Sequence, residues 1–206
     1  GSEKIRQDVR TFVETLGCSI EEMPYSGEQT PCCGYGGLVK YANPEVAGKK
    51  ADFAAGRSDR KILTYCMACR DQLLRAGADT CHILELAYGV KPGPVPDLSQ
   101  RRFNRLLLKQ RLLSELWKEE YRMETMLPVR YADGVEALME ARMILKSDVD
   151  TVLKAYETSG EAVFDKENQW YVTSLRLGYV TFWVKFTRAE EGYTVHGAYS
   201  HRMTVE

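Results

Sequence analysis

Cysteine is absent from everything beyond Cys81. All six, Cys18, Cys32, Cys33, Cys66, Cys69 and Cys81, fall in the first part of a 206-residue chain. A secreted disulfide scaffold spreads its cysteines through a small, loop-rich domain. The clustering here, among ordinary helix and strand patterns, argues against that plan and favours a reducing, cytoplasmic setting. No apolar run approaches the roughly 18 residues of a transmembrane helix, and no secretory signal opens the chain. A basic excess is missing too. Residues 1–97 carry 12 Lys/Arg against 13 Asp/Glu, and residues 98–206 carry 16 against 16. Nucleic acid is therefore not an expected partner. There is no dinucleotide-binding glycine pattern, so a flavin or nicotinamide site is expected on another chain or upstream. Gly1-Ser2 has the form of a tag-cleavage remnant, and the natural chain is expected to extend upstream. Internal repeats and low-complexity segments are likewise missing.

What is present describes a folded protein: 44% hydrophobic residues and a net charge of −1 leave disorder little basis. Ile5, Val9, Phe12, Val13 and Leu16 recur at helical spacing, with Gly17 as a stop. Cys18 to Met23 alternates like a strand, and Pro24 to Pro31 reads as a loop. Pro44 at a first helical position, after Asn43, predicts a helix through Ala55. Lys61 to Tyr65 reads as a short buried strand, Arg70 to Arg75 as helix, and Thr80 to Ala87 as a final small element. This alternation predicts an α/β cysteine-rich domain over residues 3–90. The stretch Gly89 to Asp97, rich in proline and glycine, predicts a linker over 91–99.

Beyond it, residues 100–206 predict an α+β domain of two helices and an antiparallel sheet. The helices are expected over Arg101–Met126 and Val135–Tyr156. Strands are expected at Trp170–Leu175, Tyr179–Thr187 and Tyr193–Val205, as a meander. Trp170, Tyr171, Phe182 and Trp183 read as sheet core. His196 and His201 would face opposite sides of a regular strand. A bulge at Gly197 would bring them together, near Tyr199 and Arg202. An interaction or docking module is the expectation for this half.

The chemistry lies in the cysteines. Cys66-Met-Ala-Cys69 places two thiolates with two residues between them, where both reach one metal or cluster. The pair falls where a strand ends and a helix begins, and free backbone N–H groups and the helix dipole there favour thiolate charge. Cys32-Cys33-Gly34-Tyr-Gly-Gly37 lies some thirty residues earlier. Its glycines let the backbone bend so that both sulfurs face one centre, with N–H groups available to tune a cluster. Cys18 and Cys81 read as buried structural thiols, and His82 as a packed or surface side chain.

With Pro44-Glu45, the run Cys66 to Leu73, and His82-Ile-Leu-Glu-Leu86, this pattern resembles the cysteine-rich CCG domain family. That family includes a component of heterodisulfide reductase and related domains of glycolate oxidase, lactate-utilisation and anaerobic glycerol-phosphate dehydrogenase complexes. The resemblance covers residues 3–90. It implies a compact α/β unit of an iron–sulfur oxidoreductase, working in electron transfer or in disulfide/thiol redox chemistry. It implies Cys32, Cys33, Cys66 and Cys69 as metal ligands, with Gly34 shaping the cofactor loop. The cofactor implied is a 4Fe-4S-type cluster in the full-length protein, and an empty or zinc-loaded site in this fragment. Partners implied are oxidoreductase subunits or domains carrying flavin or iron–sulfur centres. The family motif has a further cysteine upstream, and only Cys18 precedes Cys32 here, so the chain is expected to begin after that ligand. The alternative is a structural zinc-binding assembly module without turnover.

Overall fold

The computed structural model describes residues 2–203; the end of the last expected strand, at Thr204 and Val205, lies outside them. The chain contains both helices and strands and divides into two compact units, Gly1–Val95 and Pro96–Glu206.

The first unit opens with α1 (Ser2–Thr15), followed by a 3-10 turn at Gly27–Gln29. Then come α2 (Val39–Ala42), α3 (Pro44–Ala55), β1 (Ile62–Thr64), α4 (Met67–Arg75), β2 (Thr80–His82) and α5 (Ile83–Ala87). Strands β1 and β2 pair in parallel, Leu63 opposite Cys81, with α4 as their crossover. Helix α3 starts where the sequence says it should. The Asn43 side chain accepts a hydrogen bond from the Val46 N–H at 3.1 Å, and Pro44 occupies the first turn. It buries a face of small residues, Ala47, Ala51, Ala54 and Ala55. Ala54 and Ala55 meet Ile62 and Leu73, with Met23, Ala76 and Ala78 packed around them. The expected strand over Cys18–Met23 does not form; these residues are irregular. Its acidic residues are held by side chains instead, Glu22 by Arg10 and Glu21 by Arg60. Cys18, expected to be buried, is half-exposed, whereas Cys81 is buried in β2.

The second unit contains α6 (Leu98–Arg111), a π-helical turn at Leu112–Leu116, β3 (Val129–Tyr131), α7 (Val135–Ala141), α8 (Lys146–Ser159), β4 (Val163–Asp165), β5 (Trp170–Leu177), β6 (Val180–Arg188) and β7 (Tyr193–His201). The meander β5-β6-β7 is present, but the sheet has five strands in the order β3-β7-β6-β5-β4, with β3 parallel to β7. Two expected helices also differ. The helix expected to reach Met126 ends ten residues sooner. Lys118 turns left-handed (φ 59°), and the Glu119 N–H closes onto the Leu113 carbonyl at 2.9 Å, one residue wider than a Schellman bond, as the π-helical turn requires. The helix expected over Val135–Tyr156 is broken into α7 and α8. Met143 is left-handed (φ 56°), the Ile144 N–H returns to the Met139 carbonyl, and Asp148 caps the Leu145 N–H at 2.8 Å. One face of the sheet packs against α7 and α8. Val149, Val152 and Leu153 meet Val184, Phe186 and Val195 there, all fully buried.

Candidate functional site

Four of the six cysteines sit on two short segments of the first unit. Cys32 and Cys33 lie in the turn before α2, and Gly34 is the residue that shapes it. Gly34 has φ 83°, and a Cβ there would run into the backbone carbonyl of Ala47 on α3. Glycine is required twice over, by its left-handed backbone and by that close approach. The Gly34 N–H points to Cys32 Sγ at 3.4 Å. Cys66 occupies the N-cap of α4 with extended backbone, and Cys69 lies in the first turn of that helix. Thr64 at the end of β1 donates its hydroxyl to the Cys66 carbonyl. The strand-to-helix junction is thus where the spacing predicted it.

These segments meet through Cys33 and Cys69, whose Sγ atoms are 3.0 Å apart. Cys33 is buried and Cys69 half-buried, while Cys32 and Cys66 are exposed. The hydrogen bond from Cys69, assisted by the Tyr35 backbone N–H and opposed by burial, pulls the Cys33 thiol down to about 6. Cys69 moves strongly the other way. Its contact with Cys33, its desolvation and the neighbouring sulfurs of Cys33 and Cys66 all raise it. Ionisation of one thiol of the pair thus holds the other protonated. Cys66 is close enough to Cys69 to affect it, and Cys32 accepts the Gly34 N–H of its own turn.

Two thiolates about 2.3 Å from one tetrahedral ion stand about 3.8 Å apart, so at 3.0 Å the Cys33 and Cys69 sulfurs are closer than two ligands of one such ion. Among the described residues, no three His, Cys, Asp or Glu side chains form a group that could hold a metal ion. The sulfurs of Cys33 and Cys69 make a close pair, with Cys66 as a neighbour.

The histidines have structural work. His82 caps α5, accepting the Leu84 N–H at Nδ1 while Glu85 reaches back to the His82 N–H. Strand β7 does bulge: Val195 pairs with Phe186 and Gly197 with Lys185, leaving His196 as the extra residue. The two histidines nonetheless stay apart. His196 stacks on Trp170, interplanar angle 3°, and bonds Thr187; His201 Nε2 accepts the Trp183 indole N–H at 2.9 Å. Trp170 and Trp183, expected in the sheet core, lie half-buried in these side-chain ladders, whereas Tyr171 and Phe182 do pack against the core.

Sequence reasoning missed Arg70. Its side chain is 3% exposed and bonds Asp71, Glu85 and the Gly93 carbonyl, tying α4 to α5 and to the chain beyond it. An arginine directly after Cys69, with acids at 71 and 85, was the available signal. Among the described residues, no helix is long and apolar enough to cross a membrane. No family model matches the chain, and no curated protein or solved structure gives a match.

Proposed function

We propose that residues 3–90 are a CCG-type cysteine-rich redox domain of a larger oxidoreductase, and that Cys33 and Cys69 are its reacting dithiol. The contact at 3.0 Å between their sulfurs carries this reading. The Cys32-Cys33-Gly34 turn and the Cys66–Cys69 pair, which prompted the resemblance, support it. Cys33 is the nucleophile, since its thiolate attacks a disulfide R–S–S–R′ and forms a Cys33–S–S–R bond. The leaving R′S⁻ takes a proton. With the Cys33 charge gone, Cys69 loses the neighbour that held its proton. Its thiolate then attacks the Cys33 sulfur and releases RSH. Two electrons pass from the dithiol to the substrate disulfide, leaving a Cys33–Cys69 bond of about 2.05 Å. Partner subunits or domains would return the electrons.

The test is mass spectrometry after equilibration in glutathione buffers of graded potential, with free thiols blocked. A Cys33–Cys69 crosslink that appears and disappears reversibly is expected. Thiols that stay free throughout, or a Cys32–Cys66 crosslink in its place, would overturn the assignment.

A second reading is favoured by Cys66, whose sulfur lies close enough to Cys69 to raise its thiol. In that reading the four cysteines hold a 4Fe-4S-type cluster in the full-length protein. Full-length protein prepared without oxygen would then be brown and contain iron and sulfide. A colourless product with stoichiometric zinc would point to the structural zinc module.

A further inference from the structure

Helix α6 and the π-helical turn after it are built unlike the other long helices of the second unit. Neither contains a buried residue, although the segment is rich in leucine. Leu106, Gln110 and Leu113 are half-buried and form its inner side. The outer side carries Leu108, Leu112 and Leu116 at successive four-residue steps, 57%, 39% and 66% exposed. Arg105 and Lys109 lie one turn before Leu108 and Leu112 on the same side, both exposed. Trp117, 60% exposed, ends the stripe. No acidic residue occurs from Leu98 through Ser114. The first, Glu115, is already paired with Arg111.

We infer that this outer stripe, Leu108, Leu112, Leu116 and Trp117 with Arg105 and Lys109, docks on the surface of an anionic lipid bilayer. A helix that lies in a membrane interface needs apolar side chains to enter the acyl boundary, and cations beside them to meet the headgroups. Long Arg and Lys stems reach from the side of such a stripe to the headgroup layer. A second copy of the chain is the poorer occupant, because it would bring the same cations against each other. Charge complementarity selects an anionic surface. Acids are absent along α6 itself, and of those that follow, Glu115 is paired with Arg111 while Glu119 and Glu120 lie beyond Trp117. The proposal stands independently of the thiol chemistry, which belongs to the other unit.

The test is flotation of the full chain with phosphatidylcholine vesicles, with and without phosphatidylserine. Binding to the phosphatidylserine vesicles, reduced by salt, is the expected result. Replacing Arg105 and Lys109 together by glutamine is expected to weaken it about thirtyfold. Leu108→Ser with Leu116→Ser is expected to abolish it. All four positions are exposed, so circular dichroism should be unchanged, and retention of the native spectrum is a required control. Equal binding to both vesicle types, or binding insensitive to these substitutions, would overturn the proposal. Failure to bind either vesicle would also overturn it, and would leave the stripe to an acidic protein partner.

Discussion

The paired sulfurs make a prediction at a single atom. Alkylation of Cys33 by iodoacetamide should rise with pH around a midpoint near 6, where its thiolate forms. Cys69→Ala removes the hydrogen bond that stabilises this thiolate, and the midpoint should climb toward the ordinary thiol value of about 8.5. An unchanged midpoint would mean that Cys69 is not the donor. Linkage gives the sign for stability. The depressed Cys33 thiol contributes stability that is present at about pH 8.5 and lost as pH falls through about 6, while the raised Cys69 thiol withdraws stability as pH rises above about 8.5. Gly34 offers a second check. Gly34→Ala meets the Ala47 carbonyl and also carries the left-handed penalty of about 1–2 kcal/mol. It should suppress the Cys33–Cys69 crosslink while the helical circular dichroism persists. The spacing made the four cysteines legible as a group, since C-x-x-C at a strand end and Cys-Cys-Gly each announce themselves locally. It did not show which two sulfurs touch. That depends on how far the Gly34 turn settles against α3, a long-range packing result with no local marker.

Element boundaries were legible where a residue type enforces them. Asn43-Pro44 started α3 as expected; α8 runs past the expected end at Tyr156 to Ser159, where Gly160, left-handed at φ 70°, stops it. They were not legible where an ordinary side chain adopts the left-handed conformation. Nothing in Arg142-Met143 or Trp117-Lys118 signals a break, and a periodic apolar pattern runs through both. Met143 is 52% exposed, so its side chain contributes little packing there. Met143→Gly should therefore relieve the backbone penalty and stabilise the second unit by about 1 kcal/mol, read as a higher midpoint in thermal unfolding. A lower midpoint would show that the Met143 side chain matters more than its backbone. Strand β3 escaped sequence reading for another reason. Three residues are too few to show alternation, and its partner lies far along the chain.

The two units should not melt together. The second buries Phe186, Leu153, Val149, Val152, Val184 and Val195 almost completely, whereas the first is centred on alanines with Ile62 and Leu73. Apolar burial scales with area, so calorimetry should resolve two transitions, the first unit unfolding at the lower temperature. Arg70→Ala should lower that first transition selectively. It removes the guanidinium that bonds Asp71, Glu85 and the Gly93 carbonyl, and breaking a buried ion pair from one side costs about 3–5 kcal/mol. A single transition that shifts as a whole would instead mean that the halves unfold cooperatively. The strand order of the larger sheet bears on how the chain reaches its native state. Strand β7 is the last strand in chain order, yet it lies between β3 and β6. Val129 cannot find its neighbour Tyr193 until every intervening helix and hairpin has been made. The β5-β6 hairpin can form early, but the parallel edge must wait, and such long loop closures slow folding. During synthesis β3 would therefore spend its time with both edges unpaired, open to pairing with other chains, until β7 arrives and covers one of them.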